Sequence, residues 1–292
     1  MTMHTEWPTE TAKLLVEPQL PIEFLLPVKQ PTPALRAEGL TLGYGPDRVV
    51  VDNLDLDLPT GAVSVIIGAN GSGKSTLLRA LSRLLAPQRG TVYLDGRPVH
   101  PMRSRDFARQ LGLLPQGPTT PDGITVRDLV RLGRLPHTSL WRQWSAQDEA
   151  ALQQALVATD LQHLADEPVD ALSGGQRQRT WLALVIAQET PVLLLDEPTT
   201  YLDLAHQLDV LELVRTLNRE SGRTIVMVLH DINQACRYAD HLIAMHRGRV
   251  VAQGHPTDVV TPALLREVFD VHCRVLTDPD SGWPVVVPMN RC

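Results

Sequence analysis

The chain has 292 residues, 43% of them hydrophobic and 21% charged, with a formal net charge of −6. That length suffices for one large domain or two modest ones around a well-buried core. The acidic balance argues against a protein whose main partner is a nucleic-acid backbone. Three widely spaced cysteines, Cys236, Cys273 and Cys292, form no CxxC pair, which argues against a zinc knuckle or a disulfide framework and suits a reducing, cytoplasmic compartment. No apolar run approaches the ~18 residues that span a bilayer, and Glu6, Glu10 and Glu17 interrupt any signal-peptide pattern. Work at a membrane would therefore require a partner that holds the chain there.

Residues 1–34 carry Pro8, Pro18, Pro21, Pro27, Pro31 and Pro33, a density that suits an extended or disordered arm. Order is expected from Leu35 onward. Leu54–Leu58 (LDLDL) alternates strictly, as a strand with one buried face does. Ala62–Gly68 (AVSVIIG) is a continuous apolar run ending in glycine, the pattern of a buried parallel strand. VYLDGRPV places Asp95-Gly96 between two short extended segments, a hairpin signal. From about 117 to 178 the character changes to a helical insertion. There TVRDLVRLGRL and SAQDEAALQQALVATDL have helical spacing, with Ser145 as N-cap and Glu149 close behind.

Apolar strands then return as Pro191–Asp196 and Thr224–His230, separated by the helix HQLDVLELVRTLNRE. HLIAMHRGRVVAQG supplies two further short strands around Arg247-Gly248. A last helix, TPALLREVF with Pro262 in its first turn, and a terminal hairpin, CRVLTDPDSGWPVVVP, occupy about 256–290. Alternating strands and helices predict an α/β fold with a mainly parallel sheet and helices on both faces. No internal repeat is visible, so each chain carries one copy.

The chemistry concentrates in four places. Gly68, Ala69, Asn70, Gly71, Ser72, Gly73, Lys74, Ser75 and Thr76 (GANGSGKST) follow a predicted strand and open a helix, the context of a nucleoside-triphosphate loop. Its glycines let backbone N–H groups converge on phosphate oxygens, and the helix N-terminus adds partial positive charge. Lys74 would neutralise the β- and γ-phosphates, and the Ser75 hydroxyl would ligate magnesium. Further on, VLLLDEP delivers Asp196 to the end of a buried strand, where a carboxylate can hold magnesium, while Glu197 can polarise an attacking water. His230 stands at the end of the next strand, either as a capping histidine or as a contact to the γ-phosphate. Gln116, after the apolar GLLP segment, is a solvated loop residue or a reach toward magnesium and the lytic water.

A second glycine pair, in LSGGQ (Leu172–Gln176), opens another predicted helix near Gln176. Taken with the phosphate loop and VLLLDEP, it makes the chain resemble the nucleotide-binding subunits of the ATP-binding-cassette family from about Leu35 to the end. The resemblance implies a P-loop NTPase core, with an N-terminal antiparallel β subdomain and an inserted helical subdomain. It implies ATP and Mg2+ as ligands and a head-to-tail homodimer. In that dimer Ser173, Gly174, Gly175 and Gln176 of one chain would cap the γ-phosphate on the other chain's Lys74. Asp203, in TTYLDL, matches the loop that crosses the dimer seam, and Tyr44, in LTLGYG, matches the aromatic that stacks on adenine.

Within the family, TTYLDLAHQLDVLELV, LSGGQRQRTWLAL and LVRLGRLPH are similar to the ATPase subunits of bacterial importers for ferric siderophores, with haem and cobalamin importers close behind. That similarity implies multi-span permease subunits and an extracytoplasmic substrate-binding protein as partners, no nucleic acid, and a peripheral position on the cytoplasmic face of the membrane. Leu135 replaces the family's usual aromatic in LGR-x-PH, a departure in the insertion that faces the permease. Two other classes stay open: a soluble cassette ATPase of DNA repair or translation, whose second cassette, coiled-coil or zinc insertions are not visible here, and a non-enzymatic ATP sensor, against which Glu197 and His230 speak.

Overall fold

The computed structural model describes residues 34–45, 48–138, 144–200 and 202–292; the proline-rich arm expected over 1–34 lies almost wholly outside them. The first sheet is antiparallel. It is built from β1 (Leu35–Gly43), β2 (Val49–Leu58), β4 (Arg89–Leu94) and the two-residue β5 (Arg97–Pro98), in the order β2-β1-β4-β5. LDLDL is the second half of β2, and its leucines Leu54, Leu56 and Leu58 are buried while the intervening aspartates are exposed.

Between them, β3 (Val63–Ile67) and α1 (Lys74–Leu81) form a strand–loop–helix unit. After α2 (Ser104–Ala108), a six-stranded sheet grows around β3. It takes β6 (Leu111–Leu114), β7 (Val192–Asp196), β8 (Thr224–Val228), β9 (His241–His246) and β10 (Arg249–Gly254), in the order β10-β9-β3-β8-β7-β6. All neighbours pair in parallel except β9 with β10. Every residue of β3, β7 and β8 is buried, which is why they read as unbroken apolar runs.

The pleat sends alternate residues to two cores. Val65, Ile67, Leu193 and Leu195 enter one with the helices; Ile66, Leu194 and Val226 enter the other with α1 and the antiparallel sheet. Between β6 and β7 the described residues hold no strand. They form α3 (Val126–Arg131), a 3-10 turn at Leu132–Arg134, α4 (Ala146–Ala158) and α5 (Gly174–Ala187). The expected helix TVRDLVRLGRL thus tightens into a 3-10 turn at Leu132. Ser145 caps α4, as its sequence predicts. Ser145 shares a capping box with Asp148, not Glu149, because the reciprocal bond needs the side chain three residues on. Glu149 instead accepts from the Trp144 indole at 2.9 Å.

The helix after β7 begins at Leu204, two residues earlier than its apolar pattern suggests, because Asp203 caps it: α6 runs Leu204–Ser221. It is followed by α7 (Ile232–Tyr238), α8 (Pro256–Val259), α9 (Pro262–Phe269) and the hairpin β11 (Val271–Thr277) with β12 (Pro284–Arg291). Asn233 of α7 grips β12 by two bonds, accepting from Val286 N at 2.7 Å and donating to Val286 O at 3.2 Å. No helix among the described residues is long and apolar enough to cross a membrane.

The largest fully buried side chain is a charged one. Arg134 is 1% exposed and joins the start of α4 to the end of α5. It donates to Asp148 Oδ1 at 3.1 Å, to the Ala187 carbonyl at 2.7 Å and to Glu189 at 2.6 Å. Burial pushes the Asp148 carboxyl up, but the bonds from Ser145 and Arg134 outweigh it and hold the group below the usual carboxylate range. Arg134→Met should destabilise the chain by about 3 kcal/mol, because it leaves a buried carboxylate without its cation. Urea denaturation would show this as a lower midpoint at an unchanged slope.

Candidate active site

Strand β3 ends at Ile67, and the next six residues turn back to start α1 at Lys74. Gly68 makes that reversal possible. Its φ is 155°, and a Cβ there would stand 2.3 Å from the Met245 carbonyl oxygen of neighbouring β9, so only glycine fits. Helix α1 starts from Gly73 with no side-chain cap and no acidic residue in its first turn. Its leading N–H groups are therefore left to an external acceptor. The Ser72 hydroxyl, buried in the same loop, makes no hydrogen bond, a further polar group suited to a ligand.

Lys74 is 5% exposed. Its ammonium donates to the Gly68 and Ala69 carbonyls at 2.8 and 3.0 Å. Burial pulls its pKa down, while the carboxylates of Glu197 and Asp196 oppose that shift. Asp196, the last residue of β7, is 4% exposed and accepts from the Ser75 hydroxyl at 3.1 Å. Burial raises its pKa; the Ser75 bond works against this and the adjacent Glu197 adds to it.

Glu197 leaves the strand in the left-handed region, with φ 55°, an uncommon conformation for a non-glycine residue. The turn swings its carboxylate away from that of Asp196 and onto three donors. Gln116 Nε2 and Thr200 Oγ1 donate to Oε2 at 2.7 and 3.1 Å. His230 Nε2 lies 2.6 Å from Oε1; since a carboxylate only accepts, that nitrogen carries the proton. His230 stands two residues beyond β8 rather than closing it. Thr200 gave no sequence signal of its own, because a pair of threonines behind Pro198 reads as an ordinary turn.

Tyr44 is 45% exposed at the end of β1. Its hydroxyl is fixed by Arg79 Nη1 at 2.9 Å and lies 3.4 Å from Thr76 Oγ1, so the ring is steered by the phosphate-loop helix itself. A pocket of about 500 Å3 opens between these elements. Tyr44, Asn70, Gly71, Gly73, Lys74, Ser75, Thr76 and Glu197 line it together with Arg48, Val49, Val50 and Arg247, which the motifs did not predict.

The second glycine pair does not line this pocket. Helix α5 begins at Gly174, two residues before Gln176, with Ser173 as N-cap. Ser173 Oγ accepts from Gln176 N, and Ser173 N donates back to Gln176 Oε1 at 3.0 Å. Ser173 and Gly174 are exposed. Asp203 caps α6 and is held below the usual carboxylate range by its bonds from the His206 backbone and ring. It too lies outside the pocket lining.

The sequence-family profile described as "ABC transporter" matches residues 51–200. The ferric enterobactin transport ATP-binding protein FepC of Escherichia coli (strain K12) is 54% identical over 257 residues, covering 88% of this chain and 94% of that protein. The chain belongs to the ABC transporter family. The achromobactin transport ATP-binding protein CbrD of Dickeya dadantii (strain 3937) is 53% identical over 88% of this chain and 96% of its own length. An ABC transporter described as metal-chelate type, solved in an inward-facing conformation, superposes with a TM-score of 0.76 at 30% identity, covering 88% of this chain and 98% of that one. The dimeric bacterial ABC transporter cassette MJ0796 gives 0.67 at 27% identity over 76% and 98%. This member of the family is an ATP-binding ATPase subunit with the α/β architecture of its solved relatives.

The tight approach at Gly68 gives a direct test of the loop. Gly68→Ala should weaken ATP binding by at least about tenfold, since a methyl group there pushes the loop off the Met245 carbonyl. Titration with a fluorescent ATP analogue measures it.

Proposed function

We propose that this chain is the ATP-hydrolysing subunit of an importer that moves ferric siderophores across the cytoplasmic membrane. The observation that carries the cargo is the run of curated relatives named for enterobactin, achromobactin and iron(3+)-hydroxamate transport, at 54%, 53% and 46% identity. Relatives named for cobalamin import match at 40%, which makes cobalamin the weaker reading.

In this reading Lys74 and the first turn of α1 bind the β- and γ-phosphates, and Tyr44 stacks on the adenine. The hydroxyl of Ser75 and the carboxylate of Asp196, 3.1 Å apart, form a pair of hard oxygen donors that fits Mg2+, with Gln116 as a further donor in reach of the same corner. Magnesium there supplies charge neutralisation between the phosphates. Glu197 orients the attacking water and accepts its proton, and His230 and Gln116 hold that carboxylate in place. Ser173 to Gln176 and Asp203, off the pocket of their own chain, serve the nucleotide of a second copy in a head-to-tail homodimer.

Phosphate release then removes the charge that links the copies, and separation resets the permease. Residues 35–292 act as one cassette, with the helical insertion over 117–178 facing the permease. The exposed side chains of Leu132 and Leu135, 41% and 61% accessible, support that assignment. An extracytoplasmic binding protein delivers the chelate, and the subunit sits peripherally on the cytoplasmic face.

Glu197→Gln should retain ATP binding, lower turnover by about a hundredfold or more, and accumulate a dimer on size-exclusion chromatography; near-normal turnover removes Glu197 from the role of base. Lys74→Ala should abolish measurable ATP affinity. For the cargo, a strain lacking the gene should fail to grow with a ferric siderophore as sole iron source, and the chain should co-purify with a multi-span permease. Growth at the parental rate, or recovery only in soluble complexes, ends the importer reading.

A further inference from the structure

Two further cations line the pocket, Arg48 beside Tyr44 and Arg247; only the second is fastened to the phosphate loop. Arg247 lines the same cavity as Lys74, yet it lies far along the chain, in the turn that joins β9 to β10. That turn is fastened to the phosphate loop. Gly248 N donates to the Ser72 carbonyl at 2.9 Å. Gly248 has no room for a side chain: a Cβ would stand 2.0 Å from the Val50 carbonyl oxygen and 3.2 Å from Val51 Cα. Its own Cα lies 3.6 Å from where a Cβ on Gly73 would be. Two residues before the turn, the Met245 carbonyl abuts Gly68.

The backbone of Arg247, at φ 46°, is therefore set by contacts on both sides of the loop. Its side chain is exposed and forms no ion pair among the described residues, whereas Arg249, two residues on, faces Asp52 at 3.9 Å. The turn touches Gly73, where the phosphate-binding helix starts, and Val50, on the side of the pocket that carries Tyr44. Arg247 thus lines the pocket between Gly73 and Val50, the stretch that, with ATP bound through Lys74 and Tyr44, would hold the passage from ribose to phosphate. Arginine suits that task because its planar fork matches phosphate oxygens in pairs.

We propose that Arg247 is a further nucleotide-binding residue, pairing with the phosphate nearest the ribose. The proposal rests on the reading of the pocket as the ATP site. A contact to that phosphate exists in ATP and ADP alike and stays the same through cleavage of the terminal bond. It therefore contributes uniform binding and leaves the chemical step unchanged.

The test uses the full chain with Arg247→Ala and, as a control for general charge, Arg249→Ala. Calorimetric titration with Mg-ATP and Mg-ADP, and competition by adenosine, give the affinities; steady-state hydrolysis gives KM and kcat. Arg247→Ala should weaken ATP and ADP by a common factor of about five, the scale of an exposed charge pair. Adenosine affinity and kcat should stay as in the parent chain. Arg249→Ala should match the parent throughout.

Unchanged ATP and ADP affinities overturn the proposal. A loss confined to ATP also overturns it, since it moves the contact to the terminal phosphate. An equal loss in Arg249→Ala reduces it to a diffuse field. Failure of the parent chain itself to bind ATP instead overturns the function reading, so the two failures are distinguishable.

Discussion

Two carboxylates held almost out of water at the end of one strand set the terms for everything near them. Asp196 and Glu197 are 4% and 8% exposed, and neither can stay charged there without donors of its own. The structure meets that demand from separate quarters. Ser75 and Lys74 arrive from the phosphate loop, Gln116 from the end of β6, Thr200 from the following turn and His230 from beyond β8. The left-handed backbone at Glu197 sends the two adjacent carboxylates to different partners.

The two helix N-termini of the glycine motifs show how one dipole can serve two ends. Helix α1 has no side-chain cap, and its first residues, Lys74, Ser75 and Thr76, line the pocket. Helix α5 satisfies its third amide with Ser173 and ties Ser173 N to Gln176. Ahead of that bond stand Gly174, whose Cβ position is open, and Gly175, against which Leu202 and His206 pack.

Much of this was legible in the chain itself, for identifiable reasons. Strands β3, β7 and β8 are covered on both faces, so their sequences are continuous apolar runs that resemble nothing else. The phosphate loop was equally plain, because its glycines answer to backbone geometry and leave little freedom of composition. Three features were not legible. Asp148, which completes the capping box of Ser145, carried no signal that set it apart from its neighbour Glu149. Arg134 reads as a surface cation, yet its burial depends on Asp148, Glu189 and the Ala187 carbonyl, which no local pattern connects to it. Arg247 sits before an ordinary turn glycine, and only the packing of that turn on Ser72 and Val50 brings it to the pocket.

The placement of β3 at the centre of its sheet has a consequence for how the molecule comes into being. Its flanking partners are β8 and β9, so Val63 pairs with Ile225 and Ser64 with His241. The ribosome delivers the glycine-rich loop early, but the neighbours that fix its shape are synthesised long afterwards. Such distant pairings carry a large closure entropy and form slowly. Nascent chains halted before β8 should therefore lack a shaped loop, and the ability to hold a nucleotide is acquired only once the two ends of the sequence have found each other.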